Sequence, residues 1–381
     1  MRLGSPLGLP GRRGLSPKGQ GYRVLALVTD AFGGVGGISQ YNRDFLSALA
    51  RCDWIGQVIV LPRGAANALG SLPPQLRQLP PLQGRLGYSL GALKAAQAHS
   101  PIDVVFCGHL FMAPLAALLA KSLRARLWLQ IHGVEAWENG SQLHQWSVRA
   151  ADLVTSVSRY TRRRLLQWSS IDPARVKVLP NTVDPRFQPG PKPDHLLDRY
   201  NVRGKKILMT VSRLASSERY KGQDRVIRSF PDVLRLHPEA IYLLVGDGDD
   251  RTRLETLALE LGVEHKVLFA GPVVDSELPD YYRLADALVM PSSGEGFGIV
   301  FLEAMASGIE VIGGNQDGSM DPLGDGTRGF AINPADQRQL VSAISTALCS
   351  PASLVGGAAK FNREVFGAHL QELVSSNFIT R

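Results

Sequence analysis

The chain has little cysteine, no long apolar run and no metal-ligand spacing. Its three cysteines, Cys52, Cys107 and Cys349, lie far apart with no Cys-x-x-Cys. An odd, scattered set argues against a disulfide framework or a cysteine zinc site and fits a reducing compartment. The longest apolar stretch, residues 112–120, stops at Lys121, well short of the ~18 residues a membrane span needs. Aromatic residues are 7% of the chain. No basic–aromatic strand pattern points to nucleic acid. Residues 1–20 are rich in Gly, Pro and Arg without an apolar segment, so they read as a disordered extension rather than a secretory signal. These features together predict a cytoplasmic protein.

What is present is an ordinary globular composition, 44% hydrophobic and 20% charged over 381 residues. That length suits two domains of ~100–200 residues each. Charge divides the chain. Residues 1–190 hold 22 Lys/Arg against 9 Asp/Glu, and residues 191–381 hold 20 against 25, which together give the net +8. A basic half suits an anionic partner such as a membrane surface or a phosphorylated substrate. Short apolar runs at 22–30, 57–62, 102–107, 126–131, 152–157 and 176–179 alternate with helical patterns at 39–50, 86–99, 113–122, 146–150 and 158–168. Residues 63–85 read as a surface loop. Residues 182–204, with four prolines, read as containing the linker. Alternation then restarts, with strands at 206–211, 240–245, 267–269, 286–290 and 309–314 and helices at 223–236, 251–261, 277–284, 337–348 and 359–375. Such βα alternation indicates parallel sheets covered by helices on both faces.

Within this frame, Met290 to Gly308 concentrates the chemistry. A strand stopped by Pro291 feeds a Gly/Ser loop, a helix and a further strand. This geometry aims backbone N–H groups and a helix N-terminus at one sheet edge, where phosphate binds. Glu295 falls in the loop and Glu303 about one turn into the helix, so both reach a ligand lying there. Glycines 294, 296 and 298 let that ligand approach the backbone. The alternative is an ordinary turn with two solvated glutamates.

Arg213 leaves another strand end and Lys221 follows before the next helix. A planar fork and a point charge at one sheet mouth suit a diphosphate. The first strand runs into Gly33-Gly-Val-Gly-Gly, a second glycine-rich strand-to-helix turn. His132 follows an apolar strand, as His109 does one strand earlier, and either can equally be structural. The run Arg159-Tyr-Thr-Arg-Arg-Arg-Leu-Leu-Gln-Trp is usually a solvated face. With Trp168 close by and a basic half around it, it also suits contact with anionic lipid.

Taken together, Gly33-Gly-Val-Gly-Gly, Ile131-His-Gly, Val178-Leu-Pro-Asn-Thr-Val-Asp, Ser212-Arg-Leu, Tyr220-Lys-Gly, Val245-Gly-Asp-Gly and Glu295-Gly-Phe-Gly-Ile-Val-Phe-Leu-Glu-Ala-Met-Ala-Ser-Gly resemble the retaining glycosyltransferases of family 4. The resemblance covers roughly residues 22–375. It implies an α/β GT-B fold of two Rossmann-like domains facing across a deep cleft. The acceptor domain would span 21–185, a linker 186–204 and the donor domain 205–358, with a C-terminal helix in 359–381 returning to the first domain. It implies hexose transfer from a UDP- or GDP-sugar donor to an acceptor hydroxyl with retention, without a metal or cofactor. A lipid-linked or cell-surface glycan acceptor, met at the inner face of a membrane by peripheral docking, is expected.

By the same resemblance, Arg213 and Lys221 bind the donor diphosphate, Glu303 the ribose and Glu295 the sugar hydroxyls, beside the Phe297, Gly298 and Ile299 backbone. Gly36 and Gly37 close over the diphosphate, His132 lies at the anomeric centre, and Val273 packs on the base. Two departures stand out. Glu310 replaces a usual proline, and the loop 315–325 is longer and more polar than usual. Asp247-Gly-Asp-Asp spells the metal motif of other sugar-transferring folds but sits as a turn into a helix, where Asp249 or Asp250 suits an N-cap. A non-catalytic sugar-nucleotide binder and transfer to a small soluble acceptor remain as alternatives. A nicotinamide dehydrogenase fits poorly, because Gly34-Val-Gly-Gly-Ile-Ser breaks Gly-x-Gly-x-x-Gly and the second strand ends at Pro62-Arg63.

Overall fold

Short runs of Val, Ile and Leu, hydrophobic on both sides, become strands buried between two helical layers. The structure, a computed structural model, describes residues 21–349 and 357–379. The extension expected at 1–20 lies outside the described residues. In the first half the strands are β1 (Tyr22–Val28), β2 (Ile55–Pro62), β3 (Leu76–Gln78), β4 (Val104–Cys107), β5 (Arg126–Ile131), β6 (Leu153–Ser156) and β7 (Val176–Val178). They pair in parallel in the order β3-β2-β1-β4-β5-β6-β7. The second half holds β8 (Lys206–Val211), β9 (Ala240–Val245), β10 (Val267–Gly271), β11 (Ala287–Met290), β12 (Glu310–Gly314) and β13 (Phe330–Ile332). These also run parallel, in the order β10-β9-β8-β11-β12-β13. Each sheet therefore reverses its strand order once, between β1 and β4 and between β8 and β11. Loops leaving the carboxyl ends of those strands diverge there and leave a crevice for a ligand.

The helix Gly37–Ala50 buries Tyr41, Phe45, Leu46 and Leu49 on the first sheet. Phe45 stacks on Phe106 at 4.4 Å and meets Trp128 edge-on at 5.1 Å. The C-terminal helix Arg363–Val374 packs on the same helix. Phe366 lies 6.1 Å from Tyr41, Arg363 reaches Asp44 at 3.0 Å, and Phe378 lies 5.5 Å from Trp128. The chain thus begins and ends its described part on one sheet.

Three segments differ from the expectation. Residues 63–85, read as a loop, contain β3, which pairs Leu76 with Val58 at the sheet edge. The strand has only three residues between prolines 73–74 and 80–81, too short for an alternation to show. The proline-rich linker contains the helix Asp194–Arg199, pinned to the second half by Lys192–Asp286 at 2.6 Å and by the Tyr200–Tyr281 hydroxyls at 2.9 Å. β13 is a further strand outside the predicted set. Among the described residues no helix is long and apolar enough to cross a membrane.

Candidate active site

The second half brings its cations to the β8/β11 crevice. Arg213 leaves β8, and Lys221 precedes the helix Gln223–Leu236. Both turn onto one carboxylate, Glu218. Its Oε2 lies 2.8 Å from Lys221 Nζ, and its Oε1 accepts from Arg213. Arg213 is 77% exposed at its side chain, whereas Lys221 is 15% and Glu218 10% exposed. A partly buried point charge is thus joined through Glu218 to an exposed guanidinium. Tyr220 covers Gly294, where an added Cβ would sit 2.7 Å from its ring.

Across this crevice stand Glu295 and Glu303. Glu295 lies in the loop after β11. Burial, Asp317 and Glu218 hold its carboxyl above the usual range, while Lys221 and a hydrogen bond from the Phe297 backbone N–H lower it. Asp317 braces this loop. One carboxylate oxygen accepts from Glu295 N and Ser292 Oγ, both at 2.7 Å, and the other from Ser319 N at 2.9 Å. Gly298 caps the helix Ile299–Ala306 with φ 87°, a conformation that favours glycine. Glu303 projects from that helix, almost fully buried, and accepts from Tyr282 Oη at 2.6 Å.

Burial pushes the Glu303 carboxyl from 4.5 up to about 7, against the Tyr282 hydrogen bond. Below the ordinary value, folded and unfolded chains are both protonated. As pH rises through 4.5 toward about 7, the unfolded chain ionises first, so this group's contribution to stability is lost over that window. Glu303→Gln is expected to flatten that part of the fall in Tm between mildly acid and neutral pH, read by thermal denaturation. An equally steep wild-type and variant profile would overturn the assignment.

The first half faces this site with its own strand ends. His132 follows β5, and its Nε2 lies 2.9 Å from Gly108 O. A carbonyl oxygen only accepts, so Nε2 carries the proton and Nδ1 is the ring's acceptor. Burial lowers the imidazole to about 4, although Glu135 opposes this, so the ring is neutral at neutral pH. Tyr41 meets it edge-on at 5.1 Å. The two halves touch backbone to backbone here. A Cβ at Gly296 would lie 2.0 Å from His132 O, and one at Gly133 would lie 2.9 Å from Gly296 Cα. One glycine loop further along, a Cβ on Gly37 would meet Ile299 Cδ1 at 3.6 Å, and Gly36 has φ 93°. The cleft is therefore closed over Glu295 in this structure.

Both halves match known families. The model described as Glycosyltransferase Family 4 matches residues 35–187, and that described as Glycosyl transferases group 1 matches residues 198–356. A GDP-mannose-dependent alpha-(1-6)-phosphatidylinositol monomannoside mannosyltransferase of Mycolicibacterium smegmatis is 33% identical over 288 residues, which are 69% of this chain and 74% of that protein. This chain belongs to the family 4 glycosyltransferases. A D-inositol 3-phosphate glycosyltransferase of Acidothermus cellulolyticus is 30% identical over 218 residues, 53% of this chain and 46% of that protein. In fold, the glycosyltransferase superposes on Anabaena HepE in complex with UDP-glucose with a TM-score of 0.76 at 21% identity, covering 93% of this chain and 99% of that one. The architecture is GT-B.

The glycosyltransferase brings Arg213, Lys221, Glu295, Gly36, Gly37, His132, Phe297, Gly298, Ile299 and Glu303 to the two facing edges. Val273 follows β10, partly buried against the second half's core. Asp247-Gly-Asp-Asp is tied up locally. Asp249 accepts from Ser216 N and Oγ at 2.8 and 2.6 Å, and Asp250 pairs with Arg253 at 2.5 Å and Arg219 at 2.9 Å. Asp250 occupies the N-cap position but makes no side-chain capping bond. Among the described residues no cluster of His, Cys, Asp and Glu is arranged to hold a metal.

In the basic run, three of the four arginines make hydrogen bonds or ion pairs within the chain, and Arg163 stays exposed. Arg162 donates to Val176 O and Pro173 O at 2.8 and 3.0 Å, Arg164 to Trp137 O at 2.7 Å, and Trp168 Nε1 to Ala136 O at 2.8 Å. Arg159 crosses the cleft to Asp321 at 2.6 Å and Asp325 at 2.7 Å. The long polar loop 315–325 thus serves to brace Glu295 and to latch the halves. Glu218 and Asp317 were not among the expected site residues. The one carboxylate between Arg213 and Lys221 was the available signal for Glu218.

Proposed function

We propose that this glycosyltransferase moves a hexose from a nucleotide diphosphate sugar to an acceptor hydroxyl, with retention at the anomeric carbon and without a metal. The observation that carries this reading is the convergence of Arg213 and Lys221 with Glu295 and Glu303 at the β8/β11 crevice, opposite His132. Arg213 and Lys221 take the diphosphate, supplying the charge a metal would. Glu303 takes the ribose, Val273 lies beside the base, and Glu295 takes sugar hydroxyls beside the Phe297–Gly298–Ile299 backbone. Gly36 and Gly37 admit the diphosphate against the first half. Neutral His132 accepts from a donor-sugar or acceptor hydroxyl near the reacting carbon.

In same-face transfer, the acceptor oxygen bonds to the anomeric carbon as the bond to the phosphate oxygen breaks. The acceptor proton passes to that departing oxygen. The chain then needs no general base, and its main contribution is charge held in place. The Mycolicibacterium smegmatis relative is GDP-mannose-dependent and acts on a phosphatidylinositol monomannoside. Its likeness favours a GDP-sugar first and a lipid-linked or surface-glycan acceptor here.

Nucleotide sugars screened by thermal shift and then by hydrolysis should single out one GDP- or UDP-hexose, undiminished by EDTA, with product of unchanged anomeric configuration by NMR. An inverted product, or turnover abolished by EDTA and restored by a divalent ion, would overturn the mechanism.

A further inference from the structure

The helix Arg85–Ala98 is turned inside out for a solvated helix. It buries Tyr88, Ala92, Ala95 and Ala96 on the first sheet. Its outward face carries Leu86, Leu90 and Leu93, which are 82%, 59% and 44% exposed. Spaced i, i+4 and i+7, they form one stripe where a surface helix normally carries polar residues. Phe111 and Leu118, on the neighbouring turn and helix, are 46% and 59% exposed.

The charge around this face is mostly positive. Between residues 54 and 131 stand Arg63, Arg77, Arg85, Lys94, Lys121, Arg124 and Arg126, against one carboxylate, Asp103. Asp103 accepts from Arg23 N at the amino end of the strands, away from the cleft. At the cleft end, the Arg63 and Arg85 guanidiniums lie 5.2 and 5.7 Å from the Phe111 ring centroid. Among the described residues neither guanidinium is paired with a carboxylate. Phe111 is two residues from His109, whose ring is 6.1 Å from that of His132. The apolar stripe, the two cations and the acceptor side of the cleft therefore form one continuous edge.

We infer that this face docks on an anionic phospholipid bilayer, with Leu86, Leu90 and Leu93 among the acyl chains and Arg63 and Arg85 on lipid phosphate at the cleft rim. A predominantly cationic rim around an apolar stripe, with Glu135 of the neighbouring turn already accepting from His132 N, complements an anionic leaflet. The inference rests on the lipid-linked reading of the acceptor and specifies it. The acceptor never leaves the interface, and its phosphate is held at Arg63 and Arg85 while its hydroxyl reaches His132. The docking surface is then the helix 85–98 rather than the helix 159–168, where Arg159, Arg162 and Arg164 are already engaged.

The test is co-sedimentation of the full chain with phosphatidylcholine vesicles, with and without one part in three phosphatidylglycerol. Wild type is expected to bind the mixed vesicles. Leu86→Asp/Leu90→Asp is expected to lose roughly 10-fold or more in partitioning. Arg63→Gln/Arg85→Gln is expected to lose the preference for phosphatidylglycerol, and Arg163→Glu to change little. Leu86→Ser/Leu90→Ser, with unchanged Tm, guards against misfolding.

Wild-type binding by the Leu→Asp variant would overturn the inference. So would loss of binding confined to Arg163→Glu, or Leu-dependent dimerisation without vesicle binding. If short-chain soluble phosphate esters bind as tightly as vesicles, a free phosphate site replaces the docking face. Donor hydrolysis without lipid separates the two proposals. If it is absent in wild type the transfer reading fails, and if it is equal in all Leu variants only docking has been altered.

Discussion

Lys221→Ala is expected to lower turnover at saturating donor by about 10²–10³-fold, the scale of losing one preorganised donor at a developing oxyanion. Lys221 is the better test because it is the more fixed of the two cations. Its side chain is 15% exposed, lies 2.8 Å from Glu218 Oε2 and lowers the Glu295 carboxyl. Removing it withdraws charge from the diphosphate. It also removes the ammonium that lowers the Glu295 carboxyl while Glu218 still raises it, so that carboxyl rises further. Arg213→Ala is expected to fall less, because that side chain is 77% exposed and water replaces part of its charge. Steady-state kinetics at several donor concentrations distinguish a loss in kcat from one in KM. Unchanged kcat in both variants would remove the cations from the chemistry.

How much of this was legible in the sequence differs by element. Strands such as β9 and β11 read correctly because residues buried on both faces leave an unbroken apolar run of fixed length. β3 did not, because three edge residues between prolines carry no period. The placement of four candidate site residues in the fold was legible for a related reason. Arg213, Lys221, Glu295 and Glu303 sit at strand ends and helix starts, where local sequence fixes their position. Glu218 and Asp317 act from loop interiors, and only the folded chain brings Glu218 onto two cations or Asp317 onto the Glu295 and Ser319 amides. The sequence does not distinguish the arginines of the basic run, because one that hydrogen-bonds a backbone carbonyl, as Arg162 and Arg164 do, has the same spelling as one in solvent.

Closure yields the second large effect. Gly296→Ala is expected to lower kcat/KM by about 10²-fold while leaving Tm near wild type. Gly296 is absent from the positive-φ residues, so alanine fits its backbone conformation and the second half folds unstrained. What alanine does not fit is the partner surface. Its Cβ would stand 2.0 Å from His132 O and 3.0 Å from Gly133 Cα, both backbone atoms that cannot swing aside. The halves must then stop short of the arrangement seen here, by the ångström or so that separates such a contact from an ordinary one. A misplacement of ~1 Å between reacting groups is worth about 10²-fold.

The Arg159 ion pairs with Asp321 and Asp325 span the same cleft and would be stretched too, so the variant should also populate an opened form in solution scattering. Donor affinity supplies the control. Arg213, Lys221 and Glu303 all lie on the second half, so binding of the nucleoside diphosphate alone should change little. If Gly296→Ala bound donor normally and turned over at the wild-type rate, the contact between residues 132–133 and 296 would have no part in assembling the site.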